Sequence, residues 1–358
     1  MNARDAATTL AGNGRKANLR FDLRRDLVAI ADAEGRFTSL NRTWEDVTGW
    51  TREELMAKSV LEFLHPDDVG PTQAVLDRSD QPDFEVEGFP TRIRCRNGSY
   101  RWLRWHSRTD GEMWIGVGID VTEEHEAEER IRRAIAEDRL LVYAQPIFDS
   151  KAKEVVLEEL LVRLRENGEV LTPARFLPAA ELGGAITVLD HWMVGRALAL
   201  AESGREVAVN LSPRTLAEHD RVAELLELLE ASPHATRISF EITETAAIEN
   251  MPAARELAVR LQELGCGLAL DDFGTGTASF IHLRELPISA IKIDRSFIAG
   301  LPGGGPDAAV CRAVTLLARE LGARTVAEGV ETREVLESVT ELGIDRVQGF
   351  LCGRPAPV

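Results

Sequence analysis

The strongest constraint on the fold is a series of short apolar segments that alternates with longer amphipathic segments from Leu140 onward. Short apolar segments predict buried β-strands, and apolar residues recurring about every 3.6 positions predict helices. Eight predicted strands, most of them separated by helices, favour a parallel α/β barrel of the TIM type, with a doubly wound open sheet as the alternative. The predicted strands are Leu140–Ala144, Val155–Val162, Val207–Leu211, Ile238–Ile242, Gly267–Leu270, Ala290–Ile293, Thr325–Ala327 and Arg346–Phe350.

A smaller α+β domain is predicted before the barrel, over residues 21–122, and it contains five of the six tryptophans. Asn97-Gly98 lies between two β-rich segments, which is a strong signal for a β-hairpin. Thr51 precedes Glu53 and Glu54, as an N-cap residue does at the start of a helix. The predicted elements are a strand, turn and strand within Ile30–Phe37, helices over Asn41–Thr48 and Thr51–Ala57, and strands over Thr91–Cys95, Tyr100–Ser107 and Met113–Val121.

Two segments outside these domains have their own interpretation. Residues 1–20 have no apolar core, so they are predicted to be a mobile tail and not a signal peptide. Residues 123–139 are charged and are predicted to form a helical linker, because apolar residues recur there at helical spacing. The linker is either a solvated connecting helix or a short coiled coil that pairs across a dimer.

Composition excludes several classes of function. The net charge of −17 argues against binding to a nucleic acid polymer, because such proteins need a basic surface. No apolar stretch approaches the roughly 20 residues that span a bilayer, so no membrane association is predicted. The four cysteines are far apart and show no metal-ligand spacing, which is typical of a reduced cytoplasmic protein.

Polar side chains recur near the C-terminal ends of the predicted strands, where parallel barrels build their active sites. Asp271 and Asp272 are adjacent, and like charges this close raise a carboxyl pKa unless a cation lies between them. A single Glu at a strand end is more often a capping or surface residue, but here the pattern repeats on successive strands. Oxygen ligands without His or Cys suit Mg²⁺ or Mn²⁺, and paired metals favour phosphate ester hydrolysis. The residues concerned are Glu159, Asn210, Glu241, Asp271, Asp272, Lys292, Glu328 and Gln348.

Short motifs that follow one another between residues 140 and 355 carry a family resemblance. They are Gln145-Pro146-Ile147, Glu159-Leu160-Leu161-Val162-Arg163-Leu164, Asn210-Leu211-Ser212, Glu241-Ile242-Thr243-Glu244, Asp271-Asp272-Phe273-Gly274-Thr275-Gly276, Ile291-Lys292-Ile293-Asp294, Ala327-Glu328-Gly329-Val330-Glu331 and Gln348-Gly349-Phe350. Together they resemble the EAL domain, the phosphodiesterase of cyclic di-GMP. The chain departs from that family at Leu160, at Leu164, and at Thr277 and Ala278 in the loop after Asp272.

The resemblance implies a role for each matching residue. The implied ligands of a first Mg²⁺ or Mn²⁺ are Glu159, Asn210, Glu241 and Asp271, and those of a second ion are Asp271, Asp272 and Glu328. Lys292 is implied to orient the attacking water, Glu328 is a candidate general base, and Gln348 positions water. Gln145 and Arg163 are implied to contact the substrate, with the Arg163 guanidinium on a phosphate. Glu244 is implied to anchor the loop that couples dimerisation to metal binding.

The smaller domain resembles a PAS sensor domain. The order of its elements, Thr48-Gly49-Trp50, His65-Pro66-Asp67-Asp68 and the ending Gly116–Glu123 carry this resemblance. Its ligand is not identified by the sequence. Flavin photochemistry is not expected, because Val60 stands where the flavin-binding sensors have a reactive Cys. His65, His106 and His125 are scattered, so they are interpreted as structural or exposed residues and not as haem or metal ligands.

The sequence therefore predicts an α+β PAS sensor domain over residues 21–122, a linker over 123–139 and an α/β TIM-like barrel, the EAL domain, over 140–358. The predicted activity is hydrolysis of cyclic di-GMP to linear pGpG with two Mg²⁺ or Mn²⁺ ions, under control of the PAS domain in a homodimer. Two alternatives stay open. One is a protein that binds cyclic di-GMP without cutting it, and the other is a metallohydrolase of a different phosphodiester.

Overall fold

The computed structural model describes residues 26–81, 83–151, 153–274 and 286–358. The chain divides into two compact units, with the boundary between Glu126 and Ala127. The predicted tail and the loop departures at Thr277 and Ala278 lie outside the described residues. Within the described ranges, no helix is both long enough and apolar enough to cross a membrane.

The first unit is built on a five-stranded antiparallel sheet with the strand order β2-β1-β5-β4-β3. Its predicted hairpin is confirmed, because Arg94 of β3 pairs with Tyr100 of β4 around the Asn97-Gly98 turn. The elements are β1 Leu27–Asp32, β2 Phe37–Leu40, α1 Thr43–Thr48, α2 Arg52–Met56, a 3₁₀ turn Val60–Phe63, α3 Pro66–Leu76, β3 Glu85–Arg94, β4 Tyr100–Thr109 and β5 Met113–Asp120.

Local sequence signals explain where two of these helices begin. The Thr51 side chain accepts a hydrogen bond from the Glu54 backbone N–H, and Glu54 accepts one from the Thr51 backbone N–H, which completes a capping box for α2. Helix α3 is not among the predicted elements, and its sequence contains Gly70 and Pro71, which both disfavour a helix interior. It forms because Pro66 lies in its first turn, where the N–H group that proline lacks would have no partner within the helix. His65 is the N-cap residue, and its side chain accepts a hydrogen bond from the Asp67 backbone N–H.

Tryptophan packing organises the interior of the first unit. Trp44 is fully buried, and its indole N–H donates to the Val28 carbonyl at 3.1 Å. Trp105 lies against β5 at two glycines, since a Cβ on Gly116 or Gly118 would come within 3.2 Å of its ring. A cavity of about 90 Å³ lies beside Trp105 and is lined by uncharged residues without His or Cys. The sequence names no ligand for this cavity, and the expectation that neither flavin nor haem binds there stays a prediction.

The second unit begins within the helix that follows β5. Its helices and strands, together with that helix, are α4 Thr122–Ala136, β6 Leu140–Asp149, β7 Val155–Glu166, β8 Glu169–Leu171, α5 Leu177–Gly183, α6 Ala185–Glu202, β9 Val207–Asn210, α7 Pro213–Ala217, α8 His219–Glu230, β10 Ile238–Thr243, α9 Glu244–Glu249, α10 Met251–Glu263, β11 Gly267–Phe273, β12 Ala290–Ile293, α11 Arg295–Ile298, α12 Gly305–Glu320, β13 Arg324–Ala327, α13 Arg333–Glu341, β14 Arg346–Val347 and β15 Ala356–Pro357. Short 3₁₀ turns lie at Pro173–Arg175, Ala235–Arg237 and Leu301–Gly303.

The eight predicted strands close into a barrel, which confirms the TIM-like prediction and excludes the open sheet. The order is β6-β7-β9-β10-β11-β12-β13-β14, and β14 pairs back onto β6. The expectation that every strand is parallel was wrong for β6, which runs antiparallel to both β7 and β14. The reason is the short connection from Asp149 to Val155, because a parallel pair needs a crossover of roughly a dozen residues.

The long first hairpin moves one predicted site residue away from a strand end. Glu159 lies in the middle of β7 and faces Gln145 of β6 across the hairpin. It still reaches the carboxyl edge of the barrel, because β7 pairs with β9 only over Glu158–Leu160 and then continues with β6 and β8. The residues of β7 beyond Leu161 therefore extend past the level at which β9 ends.

The second half of α4 belongs to the core of the barrel unit. Ile131 is 2% exposed and Ala134 is fully buried, and both pack in one cluster with Leu140 and Leu164. A side chain that is buried in this way cannot also form the seam of a coiled coil. Of the two interpretations of the linker, the coiled coil can therefore use only the remaining faces of the helix.

Removing the Ile131 side chain should destabilise the barrel unit. We expect Ile131→Ala to lower the free energy of unfolding by about 2 to 4 kcal/mol, because it leaves a cavity among aliphatic side chains. Arg133→Ala is the matched control, since Arg133 lies on the exposed face of the same helix. Urea unfolding followed by far-UV circular dichroism measures both. Equal stability of the two variants would contradict the packing of α4 on the barrel.

Candidate active site

A buried lysine forms the centre of the carboxyl edge of the barrel. Lys292 lies on β12 and is 1% exposed. Its ammonium group is surrounded by carboxylates from four other strands or strand ends. Its Nζ lies 2.6 Å from Glu241, 2.8 Å from Glu328, 3.1 Å from Asp271 and 3.7 Å from Glu159. These five predicted residues, which are far apart in sequence, are therefore brought together around one cation.

Side-chain amides fix the orientation of Glu159. Asn210 Nδ2 donates to Glu159 Oε1 at 2.7 Å, and Gln348 Nε2 donates to Glu159 Oε2 at 2.6 Å. Gln348 Nε2 also donates to Gln145 Oε1 at 3.3 Å, and Gln145 Nε2 donates to the Gly353 carbonyl. Because a carboxylate can only accept, both amides turn their N–H groups toward Glu159 and leave their oxygens for another partner.

The shared lysine affects the carboxyl groups unequally. Burial alone would raise the pKa of Glu159, but Lys292 and the amides of Gln348 and Asn210 outweigh it and lower that pKa. Burial raises the pKa of Glu241 well above its usual value, and the charges of Glu159 and Asp271 reinforce this shift, while Lys292 opposes it. Burial likewise raises the pKa of Glu328 to about 7, with Lys292 opposing and Asp271 reinforcing the shift.

The ammonium group itself is held in its charged form. Burial alone would lower the pKa of Lys292, but the surrounding carboxylates raise it well above its usual value. A lysine in this position therefore cannot act as a neutral base, and it serves as a fixed positive charge.

Three carboxylates face one another beside the lysine. Ligand oxygens of Asp271, Asp272 and Glu328 all lie within 4.8 Å of one another. Burial and the neighbouring Asp271 charge raise the pKa of Asp272. The backbone at Asp272 has a φ of 54°, a left-handed conformation that non-glycine residues adopt at a cost in energy. This kink lets two consecutive residues of β11 contribute to the same edge.

The residues of the edge fit hard divalent cations. Five carboxylates stand against one ammonium group, so the cluster has an excess of negative charge that cations would neutralise. Every candidate ligand atom is an oxygen, as Mg²⁺ and Mn²⁺ prefer. The Gln348 Oε1 atom is also buried without a hydrogen-bond partner among the described residues, which leaves an acceptor for a bound water.

Two further predicted residues, Arg163 and Glu244, make their described hydrogen bonds with groups outside the cluster. Arg163 is 9% exposed, and its Nη1 donates to the Val162 carbonyl at 2.8 Å. Its guanidinium carbon stacks 5.1 Å from the centre of the Tyr143 ring, and burial lowers its pKa. Glu244, the first residue of α9, accepts a hydrogen bond from the Gly274 backbone N–H at 3.0 Å, directly after β11.

Sequence reasoning missed several residues that shape this edge. Tyr143 stacks on Arg163, and Asp190 of α6 is a buried carboxylate that accepts hydrogen bonds from the turn after Asn210. The motif glycines also have a steric reason, since a Cβ on Gly329 would come within 2.5 Å of the Arg295 side chain. No periodicity indicates Asp190, because its partners come from another element 22 or more residues away.

Comparison with known families agrees with this geometry. Residues 128–355 match the EAL domain family, and residues 37–115 match the PAS fold family. The first match covers more than half of the chain. Both families were expected from the motifs, and both are confirmed.

Curated relatives and solved structures extend the comparison. The chain is 39% identical over 249 residues to cyclic di-GMP phosphodiesterase NbdA of Pseudomonas aeruginosa, covering 67% of this chain and 32% of that protein. It is 35% identical over 237 residues to cyclic di-GMP phosphodiesterase PdeF of Escherichia coli, covering 64% of this chain and 32% of that protein. The chain thus spans about a third of the length of these two relatives.

Solved structures similar to this chain cover about two thirds of it. The PaMucR phosphodiesterase in complex with c-di-GMP has a TM-score of 0.59 and 34% identity, covering 65% of this chain and 98% of that one. The FimX EAL domain from Pseudomonas aeruginosa bound to c-di-GMP has a TM-score of 0.58 and 26% identity, covering 64% and 96%. The chain belongs to the EAL domain family, and a PAS-fold unit precedes its EAL domain in the sequence.

Proposed function

We propose that this protein hydrolyses cyclic di-GMP to linear pGpG. The observation that carries the proposal is the cluster of five carboxylates around the buried Lys292, at the carboxyl edge of an EAL-family barrel. Relatives with this domain are named cyclic di-GMP phosphodiesterases, and two similar structures contain c-di-GMP.

Two groups of residues are proposed to hold divalent cations. One consists of Glu159, Asn210, Glu241 and Asp271, and the other of Asp271, Asp272 and Glu328. Two Mg²⁺ or Mn²⁺ ions bound there would lower the pKa of a water and neutralise charge on the phosphoryl oxygens. Asn210 is suited to this task because its N–H group is engaged by Glu159, so that Oδ1 is the atom left for a cation.

Lys292 and Glu328 are proposed to manage charge and protons. Lys292 contributes a permanent positive charge next to the attacking water and orients it. Glu328 lies 2.8 Å from Lys292 and has a pKa of about 7, so it is suited to accept the proton that this water loses. Gln348 Nε2 donates to Glu159 Oε2, the oxygen that lies 3.7 Å from Lys292. The Oε1 atom of Gln348 is an acceptor and is proposed to position the water.

The substrate contacts are proposed for the first hairpin. Arg163 is buried, and among the described residues its guanidinium has no carboxylate hydrogen-bonded to it, so it suits a phosphate of the ligand. Gln145 is held by Gln348 and the Gly353 carbonyl and is proposed to contact the ligand beside it. The water oxygen bonds to phosphorus, the bond to the 3′ oxygen breaks, and that oxygen takes up a proton to give pGpG.

The PAS-fold unit is proposed to regulate this activity. We assign sensing to residues 21–122, transmission to 123–139 and catalysis to 140–358, in a homodimer formed through the PAS domain, the linker and the EAL domain. Glu244 is proposed to anchor the segment after β11 by its hydrogen bond to Gly274. The ligand of the PAS domain remains open, and neither flavin nor haem is proposed.

Incubation with cyclic di-GMP and Mg²⁺ or Mn²⁺ tests the activity directly, with pGpG as the expected product by liquid chromatography. Asp271→Asn should lower kcat by a factor of about 10³ or more, because it removes a charge that both ion sites share. Asp307→Asn is the control, since Asp307 is in the first turn of α12 and outside the cluster.

The outcomes separate the competing functions. An Asp271→Asn variant that cleaves cyclic di-GMP as fast as the parent would contradict the proposed two-metal mechanism. Tight binding of cyclic di-GMP by the parent without cleavage would favour the effector that only binds. Cleavage of other phosphodiesters in preference to cyclic di-GMP would favour the third alternative.

Replacing the central lysine should make stability depend on metal ions. We expect Lys292→Met to melt about 10 °C below the parent without metal, because removing one partner of a buried ion pair costs roughly 3 to 5 kcal/mol. Added Mg²⁺ should raise its melting temperature more than that of the parent, since the ions replace the lost charge. Lys151→Met, on the exposed surface, is the control. Equal responses to Mg²⁺ in all three proteins would argue against cations binding in this cluster.

Deleting the PAS domain tests regulation. A chain that begins at residue 123 should retain pGpG formation, because all proposed catalytic residues lie in the barrel, but its kcat should differ from that of the full chain. Light scattering on both chains measures the contribution of the PAS domain to the homodimer. If the truncated and full chains have the same kcat, the same KM and the same number of subunits per assembly, control by the PAS domain is refuted.

A further inference from the structure

A buried carboxylate that the proposed mechanism does not use lies behind the active-site edge. Asp190, on the second turn of α6, is 6% exposed. Its Oδ2 accepts a hydrogen bond from the Ser212 backbone N–H at 2.9 Å and another from Thr215 Oγ1 at 2.7 Å. Both donors are uncharged, and burial raises the pKa of Asp190 to about 6. Burying a carboxyl group costs free energy of folding, so a buried aspartate with uncharged partners is a candidate for a functional role.

The two donors belong to the turn that directly follows Asn210. Ser212 is the N-cap of α7, and its hydroxyl accepts from the Thr215 backbone N–H at 3.1 Å. Ser212 Oγ also donates to Thr215 Oγ1 at 3.0 Å. Asp190 therefore joins a closed network of hydrogen bonds, in which the turn after β9 is tied to a helix of the outer layer.

Asn210 depends on this turn for its position. It is the last residue of β9, a strand of four residues, and its own side chain is exposed. Toward β10 it is held by pairing with Glu241, and the Leu211 N–H that follows donates to the Glu241 carbonyl at 2.8 Å. The next backbone N–H, that of Ser212, donates to Asp190 and ties the turn to α6. Loss of this bond would remove the tie to the outer helix and leave the end of β9 held by Glu241 and by the Asn210–Glu159 hydrogen bond.

We propose that Asp190 is a positioning residue, which holds the turn after β9 so that Asn210 Oδ1 faces the cation site. This inference rests on the proposed function, in that Asn210 is taken as a ligand of a divalent cation. It adds a residue that lies outside the family motifs and outside the two proposed groups of cation ligands. It also predicts an effect on metal affinity that a residue with a merely structural role would not have.

The chain offers a close control at the other end of the barrel. Asp345 Oδ2 accepts hydrogen bonds from the Thr325 backbone N–H and from Thr325 Oγ1, both at 2.9 Å. Thr325 lies at the start of β13, at the amino-terminal edge. Asp345→Ala therefore removes the same two types of hydrogen bond as Asp190→Ala, together with a hydrogen bond from the exposed Arg324 at 3.1 Å, but it does so at the opposite edge of the barrel.

The experiment measures Mn²⁺ binding by isothermal titration calorimetry and melting temperature by circular dichroism, on full-length proteins without substrate. We expect Asp190→Ala to weaken Mn²⁺ binding by a factor of roughly 10 to 100, the usual effect of removing a partner that orients a ligand. Asp345→Ala should lose comparable stability and keep the parent affinity. Asp190→Asn retains an acceptor oxygen and should recover Mn²⁺ affinity to within about threefold of the parent.

Each outcome decides the proposal. Parent-like Mn²⁺ affinity in Asp190→Ala overturns it, as does equal weakening in Asp345→Ala. If Asp190→Ala does not fold, Thr215→Val replaces it, with Thr215→Ser as its control. We expect the Val variant to bind Mn²⁺ more weakly than the Ser variant, and equal affinities overturn the proposal.

The same data separate this inference from the proposed function. A parent that binds Mn²⁺ but leaves cyclic di-GMP intact would defeat the hydrolase proposal. The comparison of Mn²⁺ affinities would still support or overturn the role of Asp190. A parent that binds no Mn²⁺ overturns the role of Asp190 together with the cation site.

Discussion

The ion cluster around Lys292 is the interaction on which the rest of the site depends. Five carboxylates at one edge of a barrel repel one another, and burial makes Glu159, Glu241 and Glu328 more costly to ionise. A single ammonium group at 2.6 to 3.7 Å from four of them offsets part of this repulsion. Because the lysine side chain is buried, its ammonium group stays among the carboxylates and holds them close together. One positive charge does not balance five carboxylates, so the cluster keeps an excess of negative charge. This excess of negative charge suits an edge that is proposed to bind divalent cations.

The hairpin β6–β7 decides how this cluster is completed. In a barrel of only parallel strands, each strand contributes to the edge through its last residues. Here the antiparallel pair lets Gln145 and Glu159 face each other from the middle of two long strands. The projecting part of β7 then carries Arg163, which stacks on Tyr143 of the neighbouring strand. The connection between β6 and β7 is too short for a helix, and it therefore makes the pair antiparallel. This arrangement places both Glu159 at the edge and Arg163, the candidate phosphate-binding residue, further along β7.

The polar residues of the edge are held by a layer of neighbours that sequence patterns do not mark. Glu159 is oriented by two amides from β9 and from the segment after β14. Asp190 reaches the turn after β9 from the outer helices, and Glu244 reaches the backbone after β11. Such contacts join elements that are distant along the chain. Their existence depends on the angle and height at which helices pack on strands, which no local spacing encodes.

The sequence by itself determined the eight strands, the alternation with helices, the PAS hairpin at Asn97-Gly98 and the set of polar residues at the barrel edge. These features follow from local rules, because burial periodicity and turn chemistry act over a few residues. Only the tertiary structure decided that β6 is antiparallel, that Glu159 lies mid-strand, and that Lys292 is shared by four carboxylates. The pKa of about 7 at Glu328 likewise arises from burial and from charges on other strands. Distances between charges exist only once the barrel has closed, and electrostatic energy depends on those distances and on the exclusion of water.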